Sequence, residues 1–248
     1  MSSIVWRKEH FNEIDSTNTW CVARANEGAP EGLVAYADFQ TAGRGRLDRR
    51  WESPAGASLL CSILLRPQLD PDERQLVVAG VALAARAAIV RLCGVRPDLK
   101  WPNDLVVGDA KLAGLLAEVV AHDGVVAVVV GIGVNLTHEG PTTVEATSLR
   151  AESGVTIAPE ALLDILLDEL EPRRSRLESA EGRAQLRDEY QRSLVTIGQT
   201  VRVERMNDSL VGVATAVDPS GHLVVEVDGV ATVVAVGDVV RVRRQDSP

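Results

Sequence analysis

Aromatic residues are almost missing from this chain, with two Phe, two Tyr and four Trp among 248 residues. Its core must therefore be filled by Val, Leu, Ile and Ala, and each tryptophan becomes a residue worth placing. Cysteine is equally scarce. Cys21, Cys61 and Cys93 are odd in number, far apart and set among apolar neighbours, with no metal-ligand spacing, so they read as reduced core residues. His10, His122, His138 and His222 show no metal pattern either. The first ten residues lack an apolar signal core, so nothing directs the chain to secretion and the cytosol is the expected compartment. The longest apolar stretches, residues 76–90 (broken by Arg86) and 125–134, read as too short for a membrane span. Basic charge is lacking as well. A net charge of -9 argues against sequence-independent binding to nucleic acid, which needs a basic surface to displace counterions. What is present, 46% hydrophobic and 25% charged residues, suits one medium domain plus a small one.

Patterning predicts a strand over 6–14, a helix over 19–26 with its N-cap among residues 15–18, and strands over 33–40 and 57–66 on either side of an arginine and glycine loop. A buried helix is expected over 72–92, started by Pro71-Asp72 and stopped by Gly94. Strands over 98–107, 111–121 and 125–136, joined by turns, make an antiparallel meander. A long helical pattern over 159–190 is interrupted at Pro172. Behind it the composition shifts to short Val-rich strands between Asp/Gly turns, which predicts a second domain. The expected division is 1–192 and 193–248, the latter a small SH3-like barrel.

The most informative stretch is residues 40–51, Gln-Thr-Ala-Gly-Arg-Gly-Arg-Leu-Asp-Arg-Arg-Trp, which puts four arginines and two glycines between two strands. Glycine lets a backbone approach a ligand closely, and guanidinium groups grip carboxylate or phosphate oxygens two at a time. The Gly-Lys-Ser/Thr ending of a phosphate-binding P-loop is missing and no helix follows. A solvated arginine loop or an RNA-binding segment would have the same composition. Trp51 could stack on a purine or join the core of the next strand.

Further signals are individually ambiguous. Residues 100–104, Lys-Trp-Pro-Asn-Asp, contain good turn chemistry, and Asn103 and Asp104 need be nothing more. In residues 111–114, strand alternation puts Lys111 and Ala113 on one face and Leu112 and Gly114 on the other. An inward Lys111 would need an anion, whereas a strand-end lysine can reach solvent. Ser16, Thr17 and Asn18 offer hydroxyl and amide groups to a polar ring, or simply an N-cap. The glycine-rich residues 131–135, ending in Asn135, suit a close ligand or a bulge.

Taken in order, these segments resemble the catalytic domain of the biotin protein ligases: residues 16–18, Gln40 with 43–46 and 49–51, 100–104, 111–114 and 131–135, followed by helices and a small barrel. The resemblance implies an α+β fold, a mixed β-sheet backed by helices of the class II synthetase-like kind, with a C-terminal SH3-like β-barrel. It implies ATP-dependent formation of biotinyl-5′-AMP and transfer of biotin to a lysine of a carboxylase's biotin carboxyl carrier domain. Ser16, Thr17, Asn18 and Gln40 would meet the ureido ring beside Arg44, Gly45 and Arg46. Lys111, beside Gly114, would hold the biotin carboxylate, and Arg44, Arg46 and Lys111 would be the catalytic cations. Arg49, Trp51, Asn103, Asp104 and Asn135 would face the nucleotide, with Asp104 toward Mg²⁺.

Asp48 stands where family members commonly have glycine, and it is expected to point away from the ligands. There is no room before Trp6 for the helix-turn-helix that some members use as repressors, so DNA binding is not expected. The strand over 125–134 could complete a homodimer sheet or fill the core. The rival readings are a lipoate ligase, running similar chemistry on a related fold, and a nucleic-acid-binding module.

Overall fold

The structure is a computed structural model that describes residues 4–47, 49–122, 124–138, 140, 145–204, 209–235 and 238–241. Asp48 lies outside the described residues. The first sheet has the order β1-β2-β3-β7-β6-β5-β4, formed by β1 (Arg7–Ile14), β2 (Leu33–Gln40), β3 (Ser58–Leu65), β4 (Asp98–Lys100), β5 (Asp104–Val107), β6 (Ala110–His122) and β7 (Val125–Asn135). β1 runs parallel to β2 and the other pairings are antiparallel, so the sheet is mixed as expected.

Five helices accompany it among the described residues: α1 (Thr17–Asn26), α2 (Gln75–Cys93), α3 (Leu149–Ser153), α4 (Pro159–Arg176) and α5 (Ala180–Ser193). Two apolar clusters show the layering. The larger contains α2, α4 and the inward side chains of β3, β6 and β7; the smaller joins Cys21 and Ala25 of α1 to Ala35, Leu64, Val120, Ala127 and Val129. α2 is the central helix, with Leu76, Val77, Leu83, Ala84, Ala88 and Ile89 buried and Gly94 closing it in the left-handed conformation. With the 3₁₀ turn before it, the run Pro71–Cys93 spans 23 residues, longer than the apolar pattern predicts and sufficient by length and composition to cross a membrane. Its most apolar window is 67% buried inside the protein. Cys21 and Cys61 are core residues, and burial pushes the Cys21 thiol up to about 12; Cys93 is only half-buried.

Three local expectations are corrected. Helix α1 begins at Thr17 rather than residue 19, because Ser16, extended at φ -158°, is the N-cap and accepts from the Thr19 amide at 3.4 Å. The strand predicted over 98–107 is two strands, β4 and β5, paired as a hairpin with Trp101, Pro102 and Asn103 at its turn. Pro172 does not interrupt the helical run, which continues to Arg176 and breaks only at residues 177–179. Burial of Leu170 and Leu177 holds this segment on the core, and the Glu169 carbonyl near the proline takes a bond from Arg173 Nη1 at 2.7 Å.

The C-terminal sheet has the order β11-β10-β9-β8-β12, from β8 (Thr200–Glu204), β9 (Ser209–Val217), β10 (Leu223–Val227), β11 (Val230–Val234) and β12 (Asp238–Arg241). This antiparallel order, closed at one end by the last strand beside the first, is the SH3-like arrangement. Trp101, 1% exposed, locks it to the first sheet: its amide donates to Thr196 Oγ1 at 3.0 Å and its indole N–H to the Gly221 carbonyl at 3.3 Å.

Helices α4 and α5 are clamped by Glu189, which accepts from Arg173 at 2.8 Å and Arg176 at 2.6 Å. Burial opposes ionisation of Glu189, but the bonds and charges of the two arginines outweigh it and hold its pKa below the ordinary glutamate value. A depressed pKa contributes stability above the unfolded value and loses it as pH falls through the folded one. Glu189→Gln should therefore lower the melting temperature most at neutral pH. The gap to wild type should close on acidification below the ordinary glutamate range; a gap independent of pH would contradict the clamp.

Candidate functional site

The site lies on the face of the first sheet that carries the start of α1. Its floor is nearly free of side chains. Gly114 of β6 pairs directly with Gly133 of β7, and Gly131 pairs with Ser62 of β3. A Cβ on Gly133 would come within 2.4 Å of the Trp51 indole, and one on Gly131 within 2.9 Å of Asn18 Oδ1. Only glycine permits these side chains to lie flat on the strands.

Over this floor residues 43–47 and 49–51 pair as the two arms of a small hairpin. The Trp51 amide donates to the Gly43 carbonyl at 3.1 Å and the Gly45 amide to the Arg49 carbonyl at 2.7 Å, with an isolated bridge between Arg44 and Arg50. Beneath it is a cavity of about 610 Å³, within the range of roughly 300–1,000 Å³ usual for small-molecule sites. Every residue to which the resemblance gave a ligand role lines it: Ser16, Thr17, Asn18, Gln40, Arg44, Gly45, Arg46, Arg49, Trp51, Asn103, Asp104, Lys111, Gly114 and Asn135. Val239 of the C-terminal sheet lines it too, so the small barrel borders the site.

The cavity has two chemically distinct ends. At one, Gln40 Oε1 accepts from the Thr17 amide at 2.8 Å and from its hydroxyl at 3.1 Å, and Thr17 Oγ1 meets Ser62 Oγ at 2.8 Å. Ser16, Thr17 and Asn18 are all buried, which gives this end a compact set of neutral hydrogen-bonding groups. At the other, Asn103 is pinned to Leu115 through Nδ2 at 2.6 Å and through its carbonyl, which accepts from the Leu115 amide at 2.8 Å. Arg46 Nη1 reaches Asn103 Oδ1 at 3.4 Å.

Between these ends Lys111 Nζ forms an ion pair with Asp104 at 2.7 Å and lies 5.8 Å from the centre of the Trp51 ring. Its placement corrects the simple alternation. A register shift between Leu105 and Val106 sets Lys111 opposite Val106 and Ala113 opposite Leu105, leaving Leu112 as the extra residue. The bulge re-aims the lysine, so that its terminal atoms lie over Gly114, on the same face rather than the opposite one. Asn135 is 4% exposed and donates to the Thr147 carbonyl at 3.0 Å, tying the end of β7 to the segment that bonds the Lys111 backbone. It supports the site from the side.

Two residues at the site carry no motif in the sequence. Ser62 is one of two buried serines in an otherwise apolar strand. Glu118 of β6 accepts from Arg44 Nη1 at 2.9 Å and from the Asn18 amide. Its spacing of four from Gly114 places it on the cavity face, the one signal that could have singled it out. Among the described residues no group of three His, Cys, Asp or Glu is placed to hold a metal.

The cavity thus joins a hydrogen-bonding end, a lysine and an arginine-bearing hairpin, a combination suited to small anionic ligands. Comparison with known proteins specifies the family. Residues 11–135 match the Biotin/lipoate A/B protein ligase family and residues 196–242 the Biotin protein ligase C terminal domain. The chain is 38% identical to the biotin--[acetyl-CoA-carboxylase] ligase of Mycobacterium tuberculosis, over 96% of this chain and 90% of that one. It is 32% identical to the Paracoccus denitrificans enzyme of the same name, over 85% of this chain and 90% of that one. The biotin protein ligase from Aquifex aeolicus in complex with biotin and ATP superposes with a TM-score of 0.81 at 23% identity, covering 95% of this chain and 99% of that one, which shows a shared fold. The chain belongs to the biotin/lipoate A/B protein ligase family.

Because Trp51 occupies the space above Gly133, Gly133→Ala must displace the indole. The KM for the nucleotide should rise at least fivefold while biotin affinity stays within threefold of wild type, read by calorimetry and adenylation kinetics. Equal loss of both ligands would mean that the indole does not serve one end of the cavity selectively.

Proposed function

We propose that the protein condenses biotin with ATP to give biotinyl-5′-AMP and pyrophosphate, then passes biotin to a lysine of a carboxylase's biotin carboxyl carrier domain. The observation that carries this reading is Lys111, placed by the bulge over bare backbone between a neutral hydrogen-bonding pocket and an arginine-roofed compartment. Residues 1–192 would perform the chemistry, and 193–248 would brace the nucleotide turn through Trp101.

The ureido ring fits the end lined by Ser16, Thr17, Asn18 and Gln40, which leaves the valeryl carboxylate to reach Lys111. ATP fits the compartment of Arg49, Trp51, Asn103 and Asp104, bordered by Asn135. One carboxylate oxygen of biotin attacks the α-phosphorus, the bond to the bridging oxygen breaks, and pyrophosphate leaves with the electron pair. Both reactants are anions, so the residues have to neutralise and align them. Lys111 holds the carboxylate against the α-phosphate, while Arg44 and Arg46 offset the charge that builds on the phosphate oxygens.

Mg²⁺ is commonly held by one or two carboxylates and the phosphates themselves, and Asp104 supplies one such carboxylate at the nucleotide end. The residues thus fit an ion that arrives with ATP, and it would supply further neutralisation of the phosphate charge. The loop over 43–51 excludes water from the mixed anhydride. An acceptor ε-amine then attacks the acyl carbon, AMP departs, and the amine loses its proton to give the amide. The neutral, hydrogen-bonding character of the pocket at residues 16–18 favours the ureido ring of biotin over the dithiolane of lipoate.

The test is transfer of labelled biotin to a carboxylase carrier domain. Labelling should require ATP and Mg²⁺, withstand excess lipoate, and fall at least a hundredfold in Lys111→Ala, the scale on which removal of a transition-state charge partner is felt. Absence of both labelling and biotinyl-5′-AMP in the wild type would refute the proposal.

A further inference from the structure

Glu118 has no part in the roles assigned above, yet a single oxygen of its carboxylate organises the ring-binding end of the cavity. Oε2 accepts from Arg44 Nη1 at 2.9 Å and also from Asn18 Nδ2. An ionised carboxylate only accepts, so the amide nitrogen of Asn18 has to face Glu118 and its Oδ1 has to turn away. Turned away, Oδ1 lies buried against Gly131 with no hydrogen-bond partner, on a side chain that lines the cavity. Asn18 as a whole is 4% exposed. A buried acceptor left unpaired is unfavourable, and a ligand N–H would satisfy it. The neighbouring Gln40 Oε1 is already saturated by the Thr17 amide and hydroxyl, so the unmet demand falls on Asn18.

We infer that Glu118 is a specificity-determining residue: by fixing the polarity of the Asn18 amide it makes the cavity require an N–H on the ligand ring, and through the same oxygen it holds Arg44 and the loop that carries it. The inference rests on the biotin reading, in which that N–H belongs to the ureido ring. It also explains why an acid stands beside a site for two anionic substrates. Its charge is consumed by Arg44 and its acceptor capacity sets the direction of an amide. The chemistry predicts discrimination of a particular kind. A site that presents a fixed acceptor rejects an analogue lacking the matching donor far more strongly than it rejects a change of shape.

Binding of biotin and of two lactam analogues, in which one or the other ureido N–H is replaced by CH₂, would be measured by calorimetry on wild type, Glu118→Ala and Glu118→Gln. Wild type should bind one of the analogues tenfold to a hundredfold more weakly than biotin. In Glu118→Ala the amide is free to rotate, so the ratio should shrink to threefold or less. In Glu118→Gln the ratio should persist, because the donor-only Arg44 keeps the glutamine oxygen in place of Oε2, while biotinyl-5′-AMP should escape several times faster as the ion pair is lost. An unchanged ratio in Glu118→Ala, or proportional weakening of all three ligands, overturns the inference. If Glu118→Ala does not fold, loss of the ratio in Glu118→Gln does so instead. Failure of wild type to bind biotin would remove the biotin reading itself, a separate result.

Discussion

The site depends on a sheet face from which side chains have been removed. Gly114, Gly131 and Gly133 come from two adjacent strands: the register of β6 and β7 sets Gly114 opposite Gly133, and Gly131 lies two residues before it in β7, opposite Leu116. Each glycine in a strand costs roughly 0.5–1 kcal/mol in backbone freedom. The offset is the burial of Trp51 and Asn18 on the bare backbone, together with a cavity deep enough for a ligand. With a methyl group at any of these positions the indole, the amide or the lysine would have to move, and the arginine hairpin above them would lose its seat.

Electrostatics are arranged on that floor in local pairs. A chain with net charge -9 gathers cations at one cavity and gives several of them a local partner: Arg44 meets the Glu118 carboxylate, Lys111 meets the Asp104 carboxylate, and Arg46 donates to the neutral Asn103 amide oxygen. Cations crowded into a partly dehydrated space would repel one another, and the facing acids and amide offset that repulsion.

The C-terminal sheet contributes through a rigid contact. Trp101 is buried between Thr196 and Gly221, and the next residues are the turn that carries Asn103 and Asp104. The rarity of aromatic residues makes this placement informative. One of the four tryptophans joins the two sheets and another lies over the cavity floor, so large side chains are spent where a small aliphatic one could not bridge the gap.

The alternation of apolar residues and the turn residues between them determined the individual strands, the buried helix with its Gly94 stop, the meander and the strand-rich C-terminal unit, whereas the mixed sheet was expected only from the family resemblance. The former features are local, and periodicity encodes them. The residues at the cavity were legible in a different way: arginine with glycine, or a lysine near a glycine, is ambiguous alone, and only the order of these segments along the chain carried the resemblance. What only the tertiary structure decided were departures from periodicity and pairings across the sheet. The bulge at Leu112 reversed the face on which Lys111 was expected, and burial of Leu170 and Leu177 carried a helix past Pro172. Glu118 acquired meaning only when strand register set it beside Asn18 and Arg44, residues 100 and 74 positions away. A lone acid in a strand announces no partner, because the partner is chosen by the pairing of strands distant in sequence, and no local pattern records that choice.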